Sequence, residues 1–294
     1  MPTKRYGPYN VEISNAEKVF FPDCGITKGE IVDYYSRVAK TMLPYVEGRI
    51  VTMRRFPNGI TGKSFYQKEV PDYFPEWIER VEVQKENGKL VQLVIENAAT
   101  LVYLANQACI TPHVWLSRAV RRDRPDRLIF DLDPSDSDFA PVRDGARRLR
   151  EMLQQAGLES YLMTTGSRGL HVVVPLDESA TFEEARSFAQ ELAGELAAQD
   201  PKHFTVEQRK SKRKGRVFLD TLRNAYAQHG VAPYAVRAKP GAPVATPVDW
   251  EELSNVEPRK YTVKNIFRRL SRKRDPWKAI GRHAASVAAA ARRR

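Results

Sequence analysis

The stretch "RLIFDLDPSD" (127–136), read together with "YLMTTGSRGLHVVVP" (161–175), decides the fold. Residues 128–132 form an apolar run bounded by a turn signal and predict a strand. Val142, Ala146, Leu149 and Leu153 recur at helical spacing over 140–156, and Gly157 ends that helix. Strands follow at 160–164 and 170–175, joined by the tight turn "TGSRG". A second helix spans 182–199, and "RVFLDTL" (216–222) is the last strand. The order β-α-β-β-α-β is the split pattern of ferredoxin-like and RNA-recognition-like sheets. In that topology the first strand is central and antiparallel to the third and fourth. The end of strand one then meets the start of strand three, so Asp131 and Asp133 fall beside the turn 165–171 and His171, with Asp220 within reach.

Asp131 and Asp133 stand two apart, and in a strand such positions share a face. Two carboxylates that close repel, and a hard divalent cation with oxygen ligands relieves them. A strand that simply ends in a solvated Asp-Pro-Ser turn is the plainer alternative. Convergence of Asp131, Asp133, Asp220 and His171 favours the ion. Divalent ions there would activate an attacking hydroxyl and stabilise a leaving oxygen. Phosphoryl transfer also needs donors around the leaving phosphates. "TTGSRGLH" (164–171) offers Thr165, Ser167, the turn N–H groups, Arg168 and His171, although a hairpin needs glycine for its own sake.

Working outward, 48 Lys+Arg against 36 Asp+Glu leave a formal charge of +12, which suits a polyanionic partner. The excess is concentrated in "RAVRRDRPDR" (118–127), "RKSKRKGR" (209–216), "RRLSRKR" (268–274) and "ARRR" (291–294). These clusters are interleaved with aromatics, and no basic helix with a broad apolar face stands out, so nucleic acid is favoured over a membrane surface. With 294 residues and 42% hydrophobic content the chain can bury a full core. It has no apolar run of about eighteen residues and no signal-like N-terminus, so a soluble, cytoplasmic protein is expected. Cys24 and Cys109 are too few for a disulfide framework or a cysteine zinc site and read as core thiols.

In the N-terminal part, Thr27 and Glu30 make a capping box, and Ile31, Tyr34, Tyr35, Val38 and Met42 mark the buried face of the helix that follows. Lys28 takes the first helical position, where backbone N–H groups favour an anion, and Lys18 precedes the same turn. On the residues alone, two exposed lysines beside a turn are the plainer and favoured reading. "RIVTMRRFPNGITGKSFYQKEV" (49–70) reads as strand, turn and strand, with Arg54, Arg55 and Lys63 near Phe65 and Tyr66. Arginine beside exposed aromatics suits backbone contact and base stacking, unless the aromatics point inward. "LVQLVIEN" then leads into an apolar helix through "AATLVYLANQACI".

Five motifs, "NAEKVFFPDCGITKGE", "DLDPSD", "TGSRGLHVVVPL", "VFLDTLRN" and "VAPYAVRAKPGAPVATPV", in this order, resemble the polymerase domain of bacterial DNA ligase D. That domain belongs to the archaeo-eukaryotic primase-polymerase superfamily. The resemblance runs from about residue 10 to residue 278. It implies an α+β primase-polymerase fold, a single domain over 1–294. Within it an RNA-recognition-like catalytic sheet, in about 111–294, packs on an N-terminal α/β part, about 1–110, with DNA-end contacts. It further implies a template-dependent nucleotidyltransferase of non-homologous end joining that fills gaps and extends ends. Such an enzyme uses two Mn²⁺ or Mg²⁺ ions and NTP or dNTP substrates, with ribonucleotides favoured.

Carried over by position, Asp131, Asp133 and Asp220 would be the metal-binding and catalytic carboxylates. His113, Thr165, Ser167, Arg168, His171, Arg213 and Arg237 would hold the incoming nucleotide. Lys18 and Lys28 would grip the 5′-phosphate of the downstream strand, and Arg55, Phe65 and Tyr66 would contact the template. The family often has Ser in place of Thr165 and Gly-Lys in place of Ser167-Arg168. The hydroxyl and charge persist, yet arginine and lysine differ at a phosphate site, so nucleotide preference transfers less directly. The resemblance also suggests Ku and a separate or fused DNA ligase as partners, and an end-bridging dimer on DNA. The chain has no K-x-D-G ligase motif. The rivals are a replicative-type primase, disfavoured by the missing zinc cysteines; a non-catalytic nucleic-acid-binding module, disfavoured by an acidic sheet face; and a glycosidase, disfavoured by the basic charge.

Overall fold

The computed structural model describes residues 3–85 and 88–294. The chain forms two units. Unit 1 takes the chain up to Trp115 together with His229–Ala245 and Tyr261–Arg269, and unit 2 takes Leu116–Gln228, Thr246–Lys260 and Leu270–Arg294. The sequence reading divides the chain once, near residue 110. The observed chain instead passes repeatedly between units, because short late strands complete each sheet.

Unit 1 begins with the hairpin β1 (Thr3–Tyr6) and β2 (Tyr9–Glu12), followed by the short antiparallel pair β3 (Val19–Phe21) and β4 (Ile26–Thr27). The capping box expected at Thr27 starts α1 (Lys28–Val46): Thr27 Oγ1 accepts from the Glu30 N–H at 3.2 Å, and the Glu30 carboxylate accepts from the Thr27 N–H at 2.7 Å. A cap of this kind stabilises by about 1 kcal/mol. Ile31, Tyr34, Tyr35, Val38 and Met42 are all buried, as their spacing predicts. β5 (Arg49–Arg55) pairs with β6 (Phe65–Gln67) across the Pro-Asn-Gly turn. β7 (Arg80–Lys85), β8 (Gly88–Ile95), α2 (Ala98–Asn106) and β9 (Cys109–Trp115) follow. Cys109 is buried, which pushes its thiol up to about 12; Cys24, expected in the core, is only half-buried, because it lies in the turn between β3 and β4.

Unit 2 contains β10 (Arg127–Asp133), α3 (Ala140–Gln155), β11 (Tyr161–Thr164), β12 (Leu170–Pro175), α4 (Phe182–Gln199), β13 (Phe204–Thr205) and β14 (Val217–Asp220). β10 is central, antiparallel to β12 on one side and β14 on the other, as the split βαβ pattern requires. Two further strands complete the unit 2 sheet, one at each edge, while one short strand joins unit 1. β13 pairs parallel to β14 at one edge. β15 (His229–Val231) pairs with β9 in unit 1, and β16 (Thr246–Val248) pairs with β11, giving unit 2 the order β13-β14-β10-β12-β11-β16. In α3, Val142, Ala146, Leu149 and Leu153 are buried. A Cβ at Gly145 would stand 2.7 Å from the Phe204 ring and 3.2 Å from the Leu132 side chain, so this helix lies tight on the face that carries Leu132. Asp131 and Asp133 alternate with Leu132 and therefore occupy the opposite face. Among the described residues, no helix is long and apolar enough to cross a membrane.

Candidate active site and nucleic-acid contacts

Strand register assembles the acidic site of unit 2. Asp131 on β10 lies opposite His171 on β12 and opposite Asp220 on β14. Residues directly opposite in antiparallel strands share a face, and Asp133 is two residues on, so all four project from one side of the sheet. The charges around them are mutually compensated. His171 Nε2 lies 3.5 Å from Asp131 Oδ2, and Arg223 Nε lies 3.8 Å from the same oxygen. Arg168 Nη2 donates to both Asp133 oxygens at 3.1 and 3.2 Å, and Arg213 Nη1 lies 3.6 Å away. Asp220 Oδ1 accepts from the Leu222 N–H at 2.8 Å. Burial, and behind it the Asp131 charge, push the Asp220 carboxyl above the ordinary range against the pull of that hydrogen bond.

Among the described residues, no three His, Cys, Asp or Glu side chains are gathered into an ion-binding group, because Asp133 turns toward the two arginines. The donor set nevertheless suits a hard divalent ion. Three carboxylates share one face, and the surroundings of Asp220 resist its negative charge, a cost that a cation relieves.

The turn "TGSRG" is held by its first residue. Thr165 Oγ1 donates to Gly169 O at 3.0 Å and accepts from the Ser167 and Gly169 N–H groups at 3.3 and 3.2 Å. The Thr165 hydroxyl, read from sequence as a phosphate ligand, is thus engaged in building the turn. A Cβ at Gly169 would stand 2.1 Å from Leu132 O, so only glycine lets the turn close on the end of β10 and bring Arg168 to Asp133. Arg213 is buried, with Nε and Nη2 donating to Glu207 O and Gln208 O at 3.1 and 2.9 Å and its guanidinium 3.9 Å from the Phe218 ring centroid. Arg223 escaped the sequence reading, although "VFLDTLRN" contains it. Its neighbour Asn224 explains the placement: Oδ1 accepts from Ile129 N and Nδ2 donates to Ile129 O, both at 2.8 Å, clamping the turn after β14 onto β10.

Unit 1 holds the remaining candidates. Lys28 is 5% exposed, and its Nζ donates to the Ser14 carbonyl and, at 2.9 Å, to the Ser14 hydroxyl. Burial, then the Lys18 charge, lower its pKa to about 8. Lys18 O accepts from the Lys28 N–H at 2.8 Å, and Lys18 Nζ donates to Asn58 Oδ1 at 2.7 Å. Phe65 and Tyr66, expected to act together, point to opposite faces of β6. Arg55, opposite Phe65, donates to Gln107 O and Gln67 Oε1, each at 2.8 Å. Tyr66 instead groups with His113 and His229, at ring-centroid distances of 5.7 and 6.1 Å, while the two imidazoles are 5.2 Å apart. Arg237 follows Val236, whose N–H donates to the buried Tyr35 hydroxyl at 3.0 Å.

A family model described as "LigD, primase-polymerase domain" matches residues 27–277. The multifunctional non-homologous end joining protein LigD of Mycolicibacterium smegmatis is 34% identical over 263 residues, covering 88% of this chain and 34% of that protein. The bifunctional LigD of Bacillus subtilis is 30% identical over 270 residues, covering 91% and 43%. Among solved structures, the polymerase domain of Mycobacterium tuberculosis ligase D in complex with DNA superposes with a TM-score of 0.87 at 32% identity, covering 93% of this chain and 99% of that one. The chain spans from about a third to less than half of the length of these curated relatives.

Proposed function

Because this chain belongs to the LigD primase-polymerase family and is thereby a nucleotidyltransferase that uses nucleotides and divalent metal, we propose that it extends DNA ends and fills short gaps under template control in bacterial non-homologous end joining. The observation that carries this reading is register: Asp131 paired with both Asp220 and His171, with Asp133 on the same face. Asp131, Asp133 and Asp220 would hold two ions, Mn²⁺ or Mg²⁺, which supply activation of the attacking hydroxyl and neutralisation of the leaving phosphates.

The chain's own groups do the rest. Arg168, Arg213 and His171, with Ser167, receive the triphosphate, and Arg223 adds a further positive charge beside Asp131. Thr165 keeps the turn in shape for that contact. His113 and Arg237 are likewise assigned to nucleotide binding. Lys18 and Lys28 take the 5′-phosphate of the downstream strand, while Arg55, Phe65 and Tyr66 contact the template. Ribonucleotides are preferred. Unit 2 is the catalytic part, and unit 1 carries the DNA-end contacts. The setting is the nucleoid, with Ku and a DNA ligase as partners and two copies bridging two ends.

The test is primer extension on a short-gapped duplex bearing a 5′-phosphate, with ribo- or deoxynucleotides and Mn²⁺ or Mg²⁺, beside an Asp131→Ala/Asp133→Ala double variant. Template-directed addition that the variant loses supports the reading and reports sugar preference. Tight DNA binding without addition under every condition favours a non-catalytic binding module instead.

A further inference from the structure

The turn 165–169 of unit 2 is held from two sides. From within, Thr165 binds the Ser167 and Gly169 N–H groups and the Gly169 carbonyl. From without, Arg259 Nε donates to Ser167 O at 2.8 Å, and among the described residues that carbonyl accepts from Arg259 alone. Arg259 lies outside the five sequence motifs. It is exposed, yet it stands on a fixed base. β16 runs antiparallel beside β11, pairing Thr246 with Thr164 and Val248 with Leu162. Just beyond, Trp250 Nε1 donates to Ser160 O at 2.7 Å, at the root of β11, and Ser254 O accepts from Arg143 Nη1 of α3 at 3.2 Å. Leu253 and Val256 are buried. The chain then returns to the other end of β11, where Arg259 meets the turn.

We propose that Arg259 is a positioning residue of the nucleotide site, fixing the 167–168 peptide so that the turn presents Ser167 and Arg168 to a triphosphate. The inference rests on the polymerase reading and adds a residue to it. In a trans peptide the carbonyl and the following N–H point in opposite directions. Holding Ser167 O therefore fixes where the Arg168 N–H points and the direction in which the Arg168 side chain leaves the turn toward Asp133. A phosphate-binding turn ordered in advance loses less freedom on binding, so the bond acts on affinity for the nucleotide.

The experiment measures the affinity of the whole chain for ATP with Mn²⁺, and kcat and KM in primer extension, for the native protein and for Arg259→Ala, Arg259→Gln and Arg259→Lys. Glutamine carries Nε2 at the same place along the side chain as arginine Nε, so it keeps the donor and deletes the charge. Lysine has a methylene there and keeps only the charge. Arg259→Ala and Arg259→Lys should weaken ATP binding and raise KM about fivefold, the size of one hydrogen bond, with kcat within about twofold and binding to gapped DNA unchanged. Arg259→Gln should stay near native. A native-like Arg259→Ala overturns the proposal, and so does rescue by lysine and not by glutamine, which would make Arg259 a bare charge beside the phosphates. A native chain that binds no ATP overturns it as well. ATP binding that follows the expected order of variants, without template-directed addition, supports the role of Arg259 and fails the polymerase reading alone.

Discussion

In unit 2 three carboxylates stand on one sheet face and draw Arg168, Arg213, Arg223 and His171 toward them. In unit 1 the Lys28 ammonium is buried against a serine carbonyl and hydroxyl, with a second lysine near enough to depress its pKa. The acidic cluster comes from strand register between residues far apart in sequence, and three strands fix its geometry. The basic pair comes from a helix start and the turn before it, a local construction. Each therefore asks for a ligand of opposite sign: a cation among carboxylates already held by exchangeable arginines, and an anion beside ammonium groups that form no ion pair among the described residues. The proposed metal and phosphate sites thus differ in how the fold builds them.

The contrast breaks most decisively at Asp133. Asp133→Ala removes the carboxylate that shares a face with Asp131 and releases Arg168 and Arg213. Extension should fall at least about a hundredfold. Binding to 5′-phosphorylated gapped DNA should stay nearly native, because that contact is assigned to unit 1. A variant that still polymerises removes Asp133 from the ion site. Next in size is Lys28→Met, which keeps the stem and deletes the charge. The advantage of a 5′-phosphate over a 5′-hydroxyl in DNA binding should drop about tenfold. In the native protein that advantage should shrink between pH 7 and 9, since the ammonium, lowered to about 8 from 10.5, loses its proton there. The sign for stability is opposite: a cation disfavoured by the fold costs stability in full below about pH 8, and the cost fades as pH rises from about 8 to 10.5. A phosphate preference that is flat with pH, or intact in Lys28→Met, places the pocket elsewhere.

The sequence made strand order and the acidic register legible because both follow from periodicity and from one topological rule, the central first strand. It could not reveal β16, a three-residue strand in a loop-like, proline-rich stretch, or the reassignment of His229–Ala245 to unit 1. Such short strands exist only through pairing with a neighbour. Side-chain direction was legible for Asp131 and Asp133, which bound a predicted strand. It was missed for Phe65 and Tyr66, although the same alternation rule separates adjacent residues onto opposite faces. Thr165 shows the subtler limit. A hydroxyl in a glycine turn reads as a ligand donor, whereas the folded turn consumes it in three hydrogen bonds. Thr165→Val should therefore lower the melting temperature by several degrees and raise the nucleotide KM, while Thr165→Ser restores both. A near-native Thr165→Val beside a damaged Thr165→Ser would mean that the methyl, not the hydroxyl, matters.

The smallest expected effect tests the acidic side of the comparison by stability alone. Asp220 is opposed by its burial and by Asp131 across the strand pair, and its carboxyl is pushed upward accordingly. Asp220→Asn keeps the shape and an oxygen able to accept from the Leu222 N–H, and it deletes one of two facing negative charges. With no divalent ion present, the variant should melt about 1–3 °C higher than the native chain. With Mn²⁺ added the order should reverse, because an ion that binds only the native carboxylate set stabilises only that chain. If Mn²⁺ raises both melting temperatures equally, Asp220 is not a ligand. The repulsion between Asp131 and Asp220 would then be a cost of packing, and not the mark of a site built to hold metal.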